Sequence, residues 1–297
     1  MNFVKYNAIK TIVNASTPIS SILLMNDGRI AYTADYNEIN IVDVNENFNC
    51  DLQIPLNEAI TCIAQLDNNR IVVSLKNFSI KIYSIAKKTY NIAHSIDKAH
   101  SKMILKVIGL TNNRIASCSD DHTIKIWSAL SPYNLLSTLI GHFHSPQAII
   151  QIKNKELLMS GSFDATLRLW SLISYQCLTI RSYVICTACN SLIQINEKQI
   201  AIGSFGCCLI IDIDSMRLIE LIKISDEPKG IHAVNVIDES CILFSFDYEL
   251  YLYDMKNKTY SKYKADLHKK DISSIVKIGE KMIVTGSYDK SIRVIEV

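Results

Sequence analysis

Three stretches of this chain hold a histidine, a hydroxyl residue and an aspartate in the same order and at near-constant distance: His100, Ser117 and Asp121; His142, Ser160 and Asp164; His268, Thr285 and Asp289. These are the residue types of nucleophilic catalysis, in which an imidazole takes the hydroxyl proton and a carboxylate orients the imidazole. Recurrence argues against that chemistry, because an enzyme needs one such set, and no GxSxG elbow accompanies any of them. A second constellation is sulfur. Cys186 and Cys189 form a CxxC, followed by adjacent Cys207 and Cys208. Four thiolates suit tetrahedral zinc. Neighbours along a strand point to opposite faces, however, and Cys189 aligns with Ile272 at an inner-strand core position. Buried apolar thiols are therefore the expectation, with a zinc site or a regulatory disulfide as alternatives. His142 and His144 are expected to be one structural histidine and one loop residue rather than a ligand pair. No metal or other cofactor is expected.

The elements that must position these residues repeat. Aligned on the first apolar residue after a polar turn, the register falls on Ile39, Ile80, Ile124, Leu167, Leu209, Leu250 and Ile292, at intervals of 41, 44, 43, 42, 41 and 42. Seven copies of about 42 residues are a period of radial β repeats. Within each copy, apolar residues alternate or run together and β-branched side chains dominate, as in IVVSLKNFSIKIYSI from residue 71 to 85, so each copy predicts four strands. A four-stranded sheet cannot hide both apolar faces alone, and seven packed face to face around an axis solve this with only short edges exposed. The prediction is an all-β, single-domain, seven-bladed β-propeller of four-stranded antiparallel blades. Its repeats cover roughly 19–58, 59–97, 98–141, 142–183, 184–226, 227–267 and 268–297. The last copy holds three strands, so residues 3–13 are expected to close the ring as its fourth.

Composition narrows the function classes. The chain has 297 residues, 31 basic and 29 acidic, with net charge +2 and 48% hydrophobic residues. It should bury a large core, and it has no broad positive field for general nucleic-acid binding. No apolar run approaches the roughly 18 residues that span a bilayer, and the first residues lack a secretory h-region. Nine cysteines, an odd number in a chain too large to need staples, point to reduced thiols. The expected compartment is the cytoplasm, with the nucleus or a host-cell cytosol as alternatives.

The stretches SCSDDHTIKIWS (117–128) and SGSFDATLRLWS (160–171), the second copy opened by Gly141 and His142, resemble the hallmark of the WD-repeat β-propeller family. The resemblance covers essentially the whole chain. It departs in keeping Trp only at Trp127 and Trp170, with Ser128 and Ser171 after them where Asp is usual. It implies that His100, Ser117, Asp121 and Trp127, and likewise His142, Ser160, Asp164 and Trp170, form buried structural tetrads, with His268, Thr285 and Asp289 as a partial set. It also implies that loops entering a blade and the turns between its second and third strands share one face, where partners dock.

The residue just before the turn aspartate reads Lys76, Asp120, Phe163, Phe205, Phe246 and Tyr288 in copies two to seven. Four consecutive aromatics would make an arc of anchors on blades four to seven, with Lys76 and Asp120 opposite; the competing expectation is that each ring packs onto a neighbouring blade. The expected function is a non-enzymatic scaffold or adaptor binding another protein or peptide through this face, within a multiprotein complex. Alternatives are a propeller hydrolase or lyase using Asp120, Asp121, His122 and Asp247 at a central channel, and a passive structural subunit.

Overall fold

The computed structural model describes residues 9–34, 37–46, 48–183, 188–227, 229–264, 267–280 and 282–296. It contains 28 strands in seven four-stranded antiparallel sheets, the blades of a β-propeller. The first strand, β1 (Ile9–Asn14), stands apart. Blade one is β2 (Ile22–Leu24), β3 (Ile30–Ala34), β4 (Glu38–Asp43) and β5 (Asn49–Pro55), and blade two is β6 (Ile60–Asp67), β7 (Arg70–Leu75), β8 (Ile80–Ile85) and β9 (Tyr90–Ile96). Blade three is β10 (Ile104–Leu110), β11 (Arg114–Ser119), β12 (Ile124–Ser128) and β13 (Leu135–Leu139). Blade four is β14 (Pro146–Gln151), β15 (Leu157–Ser162), β16 (Thr166–Ser171) and β17 (Cys177–Ser182), and blade five is β18 (Ser191–Gln194), β19 (Gln199–Gly203), β20 (Cys207–Asp212) and β21 (Leu218–Lys223). Blade six is β22 (Val234–Val236), β23 (Cys241–Phe246), β24 (Glu249–Asp254) and β25 (Thr259–Lys264), and blade seven is β26 (Ile272–Ile278), β27 (Met282–Ser287) and β28 (Ser291–Glu296) with β1. Strand β1 pairs antiparallel with β28, Lys10 opposite Val294 and Asn14 opposite Ser291. The N-terminal strand thus completes the last blade. Of the predicted closing segment 3–13, residues 3–8 lie outside the described residues.

Two compact units hold these blades. Residues 58–231 carry blades two to five, and the segments up to Asn57 and from His232 carry blades one, six and seven. Burial follows strand position. Second strands such as β7 (RIVVSL) are buried from their second residue onward, which is why they read as apolar runs rather than as alternation. Outer strands such as β17 are largely exposed. In the first unit, apolar clusters fill the gap between successive blades, for example Cys62, Val72, Ile80 and Ile82 against Val107, Ile115 and Trp127. Each such side chain contributes about 1.5–3 kcal/mol by leaving water.

Blades of this unit are also tied by polar clamps. Arg70 donates to the carbonyl of Ala129 (2.5 Å) and to Asn113 Oδ1 (3.0 Å). One blade on, Arg114 donates to the carbonyl of Leu172 (2.7 Å) and pairs with Glu156. No helix among the described residues is long and apolar enough to cross a membrane.

Candidate functional site

In blade three the hydrogen-bond directions are set by chemistry. The Asp121 carboxylate can only accept, so His100 Nδ1–H donates to Oδ2 (2.9 Å); Ser117 Oγ–H donates to His100 Nε2 (2.8 Å), and Trp127 Nε1–H donates to Ser117 Oγ (2.9 Å). Thr123 Oγ1–H (2.6 Å) and the Ser101 N–H (3.1 Å) complete the shell of Asp121. Blade four repeats the chain of bonds: His142 to Asp164 (2.8 Å), Ser160 to His142 (2.8 Å), Trp170 to Ser160 (2.8 Å), with Thr166 Oγ1–H and the Phe143 N–H on the carboxylate. In blade seven His268 donates to Asp289 (3.0 Å) and meets Thr285 Oγ1 at 2.8 Å, but Ile295 stands where the indole would be.

Burial works to raise the pKa of Asp121 and Asp164. The hydrogen bonds from His and Thr and the nearby imidazole outweigh it and hold both carboxyls well below the ordinary carboxylate range. The same balance brings Asp289 to about 2. Ser117 and Ser160 are fully buried, and each oxygen already accepts an indole N–H. The order of bonds is that of a catalytic triad, yet no substrate can reach either hydroxyl.

Gly141 belongs to this arrangement for a steric reason. A Cβ there would lie 2.4 Å from the guanidinium of Arg168, which lies over the Trp170 ring.

The turn residues divide by exposure. Phe163 (38%) and Tyr288 (40%) stand out from their turns, Lys76 is exposed, and Asp120 is half-buried with its N–H on the Met103 carbonyl. Phe205 is half-buried, its backbone bridged to Gly230 while the Gly206 carbonyl accepts from the Ile224 and Ser225 N–H groups. Phe246 corrects the predicted arc: it is 8% exposed, so it takes the packing alternative. The turn of blade six has only two residues, Asp247 and Tyr248. Phe246 therefore pairs with Glu249 inside the ladder and packs edge-on against Tyr251 rather than sitting at the tip.

In the unit of blades two to five one more aromatic is exposed at this loop end, which no spacing argument singled out. Phe143, beside the tetrad histidine, is 83% exposed. His144 stacks on His122 (centroids 5.6 Å) and meets Phe163 edge-on (5.7 Å). The signal for Phe143 was present as an apolar residue immediately after Gly141 and His142, in a loop that must stay at the surface.

The thiols behave as core. Cys189 and Cys207 lie in a buried cluster with Ile152, Met159, Leu167 and Leu209, Cys208 is fully buried, and Cys186 lies outside the described residues. A Cβ on Gly161 would come 2.0 Å from Cys189 Sγ, so the sulfur fills a space that only glycine leaves. Burial pushes the Cys189 thiol far above its ordinary range and Cys208 to about 12. Among the described residues no three or more His, Cys, Asp and Glu are grouped to hold a metal.

The WD40 family model (WD domain, G-beta repeat) matches residues 94–128 and 133–171, which carry both complete tetrads. The chain is 41% identical over 83 residues to the nuclear distribution protein nudF 1 of Talaromyces marneffei, covering 27% of this chain and 18% of that protein. It is 26% identical over 179 residues to the tRNA (guanine-N(7)-)-methyltransferase non-catalytic subunit wdr4 of Xenopus laevis, covering 60% and 43%. It is 27% identical over 177 residues to the nuclear distribution protein PAC1 of Candida albicans, covering 58% and 34%. In each case the match spans less than half of the relative's length. Two of the seven four-stranded blades, those with the full His-Ser-Asp-Trp tetrads, are thus matched as WD40 repeats, and the chain is similar to proteins of the WD-repeat family.

Proposed function

We propose that this protein is a non-enzymatic scaffold that docks a partner protein or peptide on the loop ends of blades three and four, with Phe143 and Phe163 as anchors and His144 and His122 beside them. The observation that carries this reading is the exposure of Phe143 on a loop that cannot fold away. Its N–H is bonded to Asp164 Oδ2 (2.9 Å), and the residue before it is locked in the tetrad. An aromatic ring held out on a rigid backbone loses little conformational entropy on binding. Relatives named as nuclear distribution proteins and as a non-catalytic subunit accord with a scaffold rather than an enzyme. Cys118, Cys189 and Cys208, buried in the core as thiols, suit a reducing compartment such as the cytosol.

The test is the double substitution Phe143→Ser with Phe163→Ser. Both side chains are surface groups, so the melting temperature should hold. Partners captured by the wild-type protein should bind the variant at least about tenfold more weakly, a loss of about 1.4 kcal/mol. Undiminished binding of every partner would refute the assignment of the patch.

A further inference from the structure

Arg168 on β16 is 6% exposed, yet among the described residues its Nε has no hydrogen-bond partner and no carboxylate pairs with it. A buried guanidinium short of acceptors is costly, and blade three shows how the fold satisfies the same position. There Lys125 stands opposite the tetrad serine Ser117, as Arg168 stands opposite Ser160. Lys125 lies over the Trp127 ring and donates to the carbonyl of Ala99 (2.7 Å), the residue before the tetrad histidine. Arg168 keeps the stacking, 5.9 Å from the Trp170 centroid, but makes no bond to the corresponding carbonyl of Gly141. Its Nη1 lies instead on the side of Gly141 where a Cβ would stand, 2.4 Å from that position. Any side chain at residue 141 would stand over the cation.

The surroundings of this cation are apolar and exposed. Gly141 is preceded by Ile140, 76% exposed, and followed after His142 by the outstanding Phe143. Across the ladder Arg168 pairs with Ile180 on β17, which is 47% exposed, and directly opposed residues share one face of a sheet. All of these groups belong to the unit of residues 58–231.

The stretch that carries them is poor in acid. From His122 to Asn196 it has five Lys and Arg against two acidic residues, Glu156 and Asp164. Both are engaged: Glu156 pairs with Arg114 and accepts from Asn112, and Asp164 accepts from His142. Arg181, exposed at the end of β17, donates to the carbonyl of Ile180 (3.1 Å) and adds a second cation beside the apolar groups.

We propose that the partner docking at Phe143 and Phe163 brings the missing acceptor: a peptide segment with an Asp or Glu whose carboxylate pairs with Arg168, and with apolar neighbours that rest on Ile140, Phe143 and Ile180. This inference rests on the docking site proposed above and adds the chemical class of its occupant. A carboxylate offers two acceptors in the plane of the guanidinium fork, and the Trp170 ring holds that fork from behind. Apolar walls keep water from the pair, which strengthens it relative to an exposed ion pair. A purely apolar peptide would cover the guanidinium without supplying an acceptor, so the site discriminates against it.

The test is selection from a phage-displayed random peptide library on three immobilised proteins: wild type, Phe143→Ser with Phe163→Ser, and Arg168→Met, whose thioether chain keeps the packing on Trp170. Peptides selected by wild type should share an acidic residue flanked by apolar ones, and Arg168→Met should lose the acidic preference. A labelled synthetic copy of a selected peptide is then titrated by fluorescence anisotropy. Replacing its acid by the amide should weaken binding to wild type about tenfold or more and leave binding to Arg168→Met unchanged. The amide peptide tests the pair on wild-type protein even if Arg168→Met folds poorly. Selected peptides that need Phe143 and Phe163 but carry no acid, or an amide loss as large on Arg168→Met as on wild type, would overturn the carboxylate while the docking patch stands. Tighter Arg168-dependent binding of a single-stranded oligouridylate than of any peptide would also overturn it, in favour of phosphate. Peptides that bind the double phenylalanine variant as well as wild type would refute the patch itself, and selection of none would count against both.

Discussion

Trp170→Ala should cost about 3–5 kcal/mol, the largest effect of any single substitution considered, as measured by chemical denaturation. Trp170 is almost fully buried and fills the gap between blades three and four together with Leu110, Ile126, Ile149 and Leu158. Truncation removes that contact area and leaves a cavity. It also removes the indole N–H that Ser160 Oγ accepts, and the cover over the Arg168 guanidinium, whose Nε has no hydrogen-bond partner among the described residues. Against a whole-domain stability of roughly 5–15 kcal/mol, such a loss leaves the fold marginal. Trp170→Phe should recover most of the packing but not the hydrogen bond, so its loss should be nearer the cost of one unsatisfied buried group. Equal stability of wild type and Trp170→Ala would remove the tetrad from any account of what holds blade four.

Asp164→Ala should cost up to about 3 kcal/mol, because it strands several donors at once: the His142 Nδ1–H, the Thr166 hydroxyl and N–H, and the Phe143 N–H. Its pH dependence is the sharper readout. A carboxyl depressed in the folded state contributes stability that is present above the ordinary carboxylate range and lost as pH falls through it toward the depressed value. Asp121, Asp164 and Asp289 all act in this direction, with Asp289 at about 2. Wild-type stability should therefore decline steeply below about pH 4. Asp164→Ala, already lacking one of the three, should start lower and decline less. An unchanged melting temperature at neutral pH, or an acid limb as steep as that of wild type, would contradict the role of this carboxylate. Because Asp164 also holds the Phe143 N–H, the variant should bind partners more weakly than its stability loss explains.

The tetrads were legible because the distance between histidine and aspartate along the chain recurs, at 21, 22 and 21 residues. In a repeat of rigid hairpins, constant sequence distance means constant spatial relation. Phe246 was illegible for the same reason. Counting back from Leu250 by a fixed number assumes a fixed turn, and the turn of blade six is shorter, which moves that residue from the tip into the ladder. Sequence spacing marked Phe163 and Tyr288 as turn residues, but their exposure is a property of where the rings point. Phe143 shows this most clearly: its backbone N–H is bonded to a carboxylate 21 residues away, and its ring stands in water.

The amino-acid sequence by itself determined the number of blades, their strands and the pieces of each tetrad, because period, alternation and turn residues are local quantities that the backbone must obey. Only the tertiary structure decided which side chains face water and which groups from different repeats meet. The apposition of His122 with His144 joins residues from neighbouring repeats. No local pattern records such a meeting, because the distance between adjacent blades is set by how their apolar faces pack.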